Sequence, residues 1–356
     1  MLKHRIIMAL ILGGLFILLL WLDTFASRGW PVGGAGGMGG VPYSTPPGLF
    51  VALGCLVIIP LGLREMRALL ARENVIISMR VTVVAATLCM VWPWLEQVSE
   101  SIQQRHDAPA AQAGELSPAE KQTQKQIEAS PWYHVARWFR SVKPHYLVPT
   151  ILALSLVAAV IQHSRNHRVD GAMANAGGTL LAIVYLGVLP GFFLPICMTH
   201  SAWMVLAIVG VVKAADVGAY FTGKAVGRHK LIPWLSPGKT VEGFVGGLAL
   251  SAVVGAAIAA ALKNSNWGGN GAIDQARWAD VSMAVALTVG GLSGIVLGAV
   301  GQLGDLLESL LKRDAGVKDS GALPGFGGVL DVLDSPLLAA PVAYWLLKLV
   351  LRPVTL

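Results

Sequence analysis

Residues 301–335 read GQLGDLLESLLKRDAGVKDSGALPGFGGVLDVLDS and lie between two strongly apolar segments. These 35 positions hold six acidic and three basic residues, although only 13% of the whole chain is charged. Charged side chains beside or inside a bilayer are costly and tend to be functional. We therefore expect the functional site in this stretch.

The composition of the chain places it among membrane proteins. Its 356 residues are 54% hydrophobic, and the mean hydropathy is +0.63. The formal net charge is +7, but the basic residues fall mostly in short segments between apolar runs, as the positive-inside rule produces. We therefore expect no binding to nucleic acid. Cys55, Cys89 and Cys197 lie in separate apolar segments without C-x-x-C spacing, so we expect them to be packing residues.

Nine apolar runs predict an all-α, polytopic integral membrane protein with about nine transmembrane helices. The runs are 6–22, 48–63, 76–95, 147–162, 177–198, 202–221, 243–262, 281–303 and 336–351. The first is long for a signal peptide and no A-x-A site follows it, so we expect a retained helix. Gly290, Gly294 and Gly298 have the small-xxx-small spacing that lets helices approach closely, and plain packing is the favoured interpretation.

The distribution of basic residues predicts the orientation. With a cytoplasmic N-terminus, the inner segments would carry 14 Lys and Arg and the short outer segments four. The N-terminal region, 1–201, includes a long outer loop, 96–146. The C-terminal region, 202–356, has cytoplasmic loops at 222–242 and 304–335. We therefore expect a multi-pass protein of the cell inner membrane whose active site faces the cytoplasm.

The acidic residues of the opening stretch form two pairs. Asp305 with Glu308, and Asp331 with Asp334, are spaced i,i+3, so each pair shares one face if its segment is helical. Mg²⁺ prefers oxygen ligands and is commonly held by one or two carboxylates plus substrate phosphates. The two pairs, separated by a Gly-rich bend, therefore predict a site for a hard cation.

A second polar stretch, 215–243, reads ADVGAYFTGKAVGRHKLIPWLSPGKTVEG. Basic side chains neutralise phosphate charge, and hydroxyl groups and free backbone N–H groups donate to phosphoryl oxygens. We therefore predict phosphate binding here, with a basic loop that serves only membrane topology as the alternative. Ser236 or Thr240 could also cap the following helix, with Glu242 in its first turn. His163 and His167 are spaced i,i+4, but arginines flank them, so a solvated basic loop is favoured over a metal site.

Both polar stretches resemble the phosphatidate cytidylyltransferase (CDP-diacylglycerol synthase) family. The run SLLKRDAGVKDSGALPGFGGVLDVLDS is similar to S-x-x-K-R-x4-K-D-x-G ending in P-G-H-G-G-x-x-D-R-x-D. The stretch 215–243 is similar to D-x-x-A-Y-x-x-G-[RK] and S-P-K-K-T-x-E-G. Phe326, Val332 and Gly238 replace the usual His, Arg and Lys, and the linker 321–324 is one residue short. The resemblance covers 202 to the C-terminus.

The resemblance implies an enzyme that transfers the cytidylyl group of CTP to phosphatidate, giving CDP-diacylglycerol and diphosphate, with Mg²⁺ as cofactor. The implied catalytic residues are Asp305, Asp331, Lys239 and Asp319, and the implied metal ligands are Asp305, Asp331, Glu308 and Asp334. The implied substrate-binding residues are Ser236, Thr240, Lys312, Arg313, Lys318, Lys224 and Asp216. Lys312 and Arg313 could instead pair with neighbouring acids. Asp216 is either a ligand or a buried partner of Lys213.

Three other functions stay open. The same scaffold could act on a different lipid phosphate or nucleotide, because Phe326 and Val332 remove a titratable and a cationic group. The chain could be a non-catalytic lipid-binding protein, or a transporter whose intramembrane charges line an ion path, although it has no internal repeat. The expected partners are CTP, phosphatidate and membrane lipids, and a homodimer stays open.

Overall fold

The computed structural model describes residues 2–27, 45–107, 118–130, 132–134, 137–138, 146–165, 169–264, 281–317 and 328–350. Helices dominate these residues, which confirms the all-α class. The elements are α1 (Leu2–Ala26), α2 (Leu49–Arg72), α3 (Met79–Asp107), α4 (Pro118–Glu128), α5 (Leu147–Ser164), α6 (Ala172–Thr199), α7 (Ala202–Val226), β1 (Lys230–Ile232), β2 (Ser236–Thr240), α8 (Val241–Asn264), α9 (Met283–Asp314) and α10 (Val329–Val350). Within α6, Val184–Val188 form a π-helical turn.

Among the described residues, eight helices are long and apolar enough to cross a membrane. They are α2, α3 and α5 to α10, while α1 contains a shorter apolar segment, Gly13–Ala26. The polytopic architecture is therefore confirmed, with a count close to the nine that hydropathy predicts.

Several helices continue beyond the apolar runs that revealed them. The α9 helix has 32 residues, which at about 1.5 Å per residue gives about 48 Å, longer than the roughly 30 Å hydrocarbon core. Residues 304–314 and 329–335, which the sequence assigns to a loop, are therefore helical. Hydropathy marks where the bilayer ends, and the leucines, Glu308, Lys312 and Arg313 after Leu303 are good helix formers.

The segment between α7 and α8 contains a small β-hairpin that the sequence analysis did not predict. Its strands β1 and β2 pair antiparallel, with Lys230 opposite Thr240 and Ile232 opposite Ser236. At the end of β2, the Thr240 hydroxyl accepts a hydrogen bond from the Gly243 N–H (3.1 Å). Thr240 therefore caps α8, as predicted.

Glycines set the closest approaches between the C-terminal helices. A Cβ at Gly290 would lie 2.6 Å from the Gly255 carbonyl oxygen of α8, and one at Gly304 would lie 2.5 Å from the Asp334 carbonyl oxygen of α10. Only glycine permits these contacts. The first confirms that the small-xxx-small spacing serves packing. The second contact places the α9 backbone next to Asp305 against the α10 backbone at Asp334.

Polar contacts also join the N-terminal helices. On α1, the buried Asp23 carboxylate accepts hydrogen bonds from the Gly48 and Phe50 N–H groups at the start of α2 (2.8 and 3.0 Å). On α5, the His163 Nδ1 atom lies 2.7 Å from the Asn175 Nδ2 atom of α6. His163 is buried, so its assignment to a solvated basic loop was wrong, because the ring lies inside α5 against α6, with the Asn175 amide at its Nδ1 atom. His167 lies outside the described residues.

Candidate active site

The two polar stretches meet at the hairpin. Lys239 of β2 places its ammonium nitrogen 3.0 Å from the Asp305 Oδ2 atom of α9. About two turns further along α9, the Arg313 Nε–H donates to the Leu235 carbonyl oxygen (3.4 Å). Hence α9 holds the hairpin at two points, and a predicted phosphate-binding lysine lies against a predicted metal ligand.

A second lysine joins α9 to α10. The Lys312 ammonium lies 2.5 Å from the Asp331 Oδ1 atom and also contacts the Glu308 carboxylate one turn earlier on α9. Glu308 is only 1% exposed, so this carboxylate and that of Asp331 meet the same ammonium group in the interior of the protein. The Gly328 N–H donates to the Asp331 Oδ2 atom (2.5 Å). Two carboxylates therefore share one cation in a dry environment.

A third lysine joins α7 to α10. The Lys213 ammonium lies 3.1 Å from the Asp216 Oδ2 atom and 3.7 Å from the Asp334 Oδ1 atom. The Ser335 hydroxyl donates to Asp216 (3.4 Å). Asp216 is thus a partner of Lys213, one of the two roles that the sequence left open, and its role as a ligand stays a prediction. We call these three lysines and their five carboxylates, on residues 216, 305, 308, 331 and 334, the charged cluster.

The remaining predicted site residues have varied positions. Ser236 is half-buried at the start of β2, and Thr240 is buried with its hydroxyl accepting the capping hydrogen bond. Lys224 is exposed, with its ammonium 5.8 Å from the Tyr220 ring centre. Lys318 and Asp319 lie outside the described residues, as does Phe326.

Glu65, which no sequence motif indicated, positions the α10 end of the charged cluster. Glu65 lies on α2 and is 6% exposed. Its carboxylate oxygens accept hydrogen bonds from the Val329 and Leu330 N–H groups (2.9 and 3.0 Å). It therefore caps α10 immediately before Asp331. An acidic residue at the end of an apolar run is a signal for a functional or structural role, and Glu65 follows the run 48–63 by two residues.

The charged cluster fits a magnesium ion in a limited way. Glu308 and Asp331 offer oxygen ligands, and both contact the Lys312 ammonium group. Among the residues that the structure describes, no three His, Cys, Asp or Glu side chains are grouped to hold a metal by themselves. Because Mg²⁺ is often held by one or two carboxylates together with substrate phosphates, these residues fit an ion that shares its coordination with a phosphate.

An apolar cavity of about 110 Å³ lies between α7, α8, α9 and α10. Along α9 its lining ends at Leu297, eight residues before Asp305, which is about 12 Å at about 1.5 Å per residue. The cavity is therefore separate from the charged cluster.

The fold and the charged cluster define a polytopic membrane protein that gathers cations and carboxylates suited to phosphate chemistry between apolar helices. The cytidylyltransferase family model matches residues 120–350. The chain therefore belongs to this family, which confirms the resemblance and extends it upstream of residue 202.

Curated relatives named phosphatidate cytidylyltransferase are similar to this chain. The protein of Chlamydia muridarum is 32% identical over 209 residues, which cover 56% of this chain and 64% of the relative. That of Chlamydia pneumoniae is 32% identical over 217 residues, covering 58% and 66%. That of Staphylococcus aureus is 33% identical over 213 residues, covering 59% and 71%. The matched part of the chain thus spans just under two thirds of the chlamydial relatives.

Proposed function

We propose that this protein transfers the cytidylyl group of CTP to phosphatidate, giving CDP-diacylglycerol and diphosphate. The observation that carries the proposal is the contact between Lys239 and Asp305, because it joins a basic hairpin suited to a triphosphate to carboxylates suited to its metal ion. The names of the relatives support the same reaction.

The chemistry asks for positioning and charge neutralisation. A phosphate oxygen of phosphatidate attacks the α-phosphorus of CTP, and the bond from that phosphorus to the bridging oxygen breaks, so diphosphate leaves with the electron pair. The attacking oxygen is already anionic, so no general base is required. Lys239 and the Ser236 hydroxyl, both on β2, bind the CTP phosphates. Lys312 and Arg313 bind the lipid phosphate or the departing diphosphate, with Lys318 as a further proposed ligand.

Magnesium is the proposed cofactor. Glu308 and Asp331 would hold it, with Asp305 as the next carboxylate and Asp334 as a supporting one. When bound, it supplies positive charge that neutralises the triphosphate and the departing diphosphate. The lysines that pair with these carboxylates in the structure are then available to bind phosphate oxygens.

An incorporation assay tests the reaction. Purified protein, CTP radiolabelled at the α-phosphate, phosphatidate and Mg²⁺ should give a labelled lipid, and either omission of phosphatidate or addition of EDTA should abolish it. Absence of labelled lipid in the complete mixture would contradict the proposal. Parallel reactions with other lipid phosphates and nucleoside triphosphates test whether the same scaffold acts on another substrate. This alternative is worth testing because Val332 places no cation beside Asp331.

We further propose that the protein lies in the cell inner membrane with the charged cluster on the cytoplasmic side, where CTP is present. The excess of Lys and Arg in the inner segments supports this orientation. Cysteines placed singly at Gly238 and Ala322, in a background without the native cysteines, should resist an impermeant thiol reagent outside intact cells. A cysteine at Asn266 should react. Labelling of all three after permeabilisation is the control, and external labelling at Gly238 would overturn the orientation.

A further inference from the structure

The N-terminal region contributes an unusual helical turn next to the charged cluster. In the middle of α6, the π-helical turn Val184–Val188 contains Tyr185. Such turns are rare and occur frequently at functional sites. At Gly187 the turn lies directly on the α3 backbone, since a Cβ there would lie 2.6 Å from the Ala86 Cα atom. The backbone contact fixes the position of the turn.

The same turn and the start of α10 lie against one residue of α2. A Cβ at Gly62 of α2 would lie 3.0 Å from the Leu186 Cδ2 atom and 3.7 Å from the Leu330 Cδ2 atom. Leu186 and Leu330 therefore both lie against Gly62, and the Leu330 N–H is one of the two that donate to Glu65. Leu330 immediately precedes Asp331, so the turn lies next to the charged cluster.

The Tyr185 hydroxyl is buried beside this cluster without a hydrogen-bond partner. The side chain is 2% exposed, and among the described residues no group accepts from or donates to its hydroxyl. The hydroxyl lies within electrostatic range of the carboxylates of Asp334, Glu308, Asp305 and Asp331. A buried hydroxyl group without a partner is costly. Its burial without a partner in the neighbourhood of these carboxylates indicates that a partner binds there.

Resting on the proposed function, we propose that the Tyr185 hydroxyl donates a hydrogen bond to a phosphate oxygen of a substrate bound at the charged cluster. The three lysines of the cluster are already paired with carboxylates, whereas this donor is unused. A phosphate that draws Lys312 away from Asp331 would bring an anionic acceptor to the same place. The N-terminal region then supplies one ligand of the substrate.

The hydroxyl can be removed without changing the packing, by Tyr185→Phe. Because the hydroxyl has no partner in the ligand-free protein, this variant should unfold at the same temperature as the wild type or at a higher one. Its affinity for substrate should fall by about 10- to 100-fold, the range for a hydrogen bond to a charged group. Thermal unfolding of the purified full chain, titrated separately with phosphatidate micelles and with CTP and Mg²⁺, measures both quantities.

Tyr344→Phe is the matched control. Tyr344 lies on the distal part of α10, where its ring packs against Phe192 of α6, so this variant should leave both affinities unchanged. Weaker binding of phosphatidate by Tyr185→Phe would assign the contact to the lipid phosphate, and weaker binding of CTP would assign it to the nucleotide. Unchanged affinity for both, or no binding of either by the wild type, would overturn the inference. A wild type that binds these ligands without turnover would instead contradict only the proposed reaction.

Discussion

Asp331→Asn should reduce cytidylyl transfer by at least about 100-fold while the protein stays folded in the membrane. The asparagine keeps the shape of the side chain and can still accept from the Gly328 N–H, which now donates to Asp331. It removes the negative charge that shares Lys312 with Glu308 and that would hold Mg²⁺. Loss of one charge-stabilising group in an active site typically costs about 100- to 1,000-fold in rate.

Initial rates of label transfer from CTP to phosphatidate measure this effect, with size-exclusion chromatography and thermal unfolding as tests of folding. Asp314→Asn is the matched control, since Asp314 is the exposed last residue of α9 and should keep the wild-type rate. A wild-type rate in Asp331→Asn would remove Asp331 from the proposed metal site.

The helices were predictable because burial in a bilayer demands long apolar segments. The ends of the helices were not, because hydropathy follows the membrane and not the hydrogen-bonded backbone. Asp305 and Glu308 are an example: their spacing indicated a shared helical face, and α9 continues through both. The strand β2 was hidden for another reason, since Ser236–Thr240 contain Pro and Gly, which are depleted in strands.

The charged cluster was predictable only in part. Asp305, Asp331 and Lys239 stand in motifs that read as a cation and phosphate site, and the structure brings Lys239 to Asp305. Glu65 and Tyr185 gave no such pattern. The Glu65 carboxylate accepts a hydrogen bond from Leu330, a residue 265 positions away. The position of Tyr185 depends on a π-helical turn that no local periodicity indicates. Contacts of this kind follow from helix packing, so a single sequence does not show them.

Lys312→Met should destabilise the protein by about 3–5 kcal/mol, the typical cost of removing one partner from a buried ion pair. Glu308 is 1% exposed, and the Lys312 and Asp331 side chains are each 14% exposed. Without the ammonium group, two carboxylates would face each other in a dry site. The free energy of unfolding in mixed detergent micelles containing EDTA measures the effect without a contribution from bound metal. Lys230→Met is the control, because Lys230 is exposed on β1.

The double variant Glu308→Gln with Lys312→Met separates lost charge pairing from lost packing. Glu308→Gln alone leaves Lys312 paired with Asp331, so its cost should be only about 1 kcal/mol. In the double variant the most deeply buried charge is gone together with its partner, and replacement of both members of a buried pair is often nearly neutral. We therefore expect the double variant to recover at least half of the stability lost in Lys312→Met. A double variant no more stable than Lys312→Met would show that the lysine stabilises α9 and α10 through packing, not through the carboxylates it contacts.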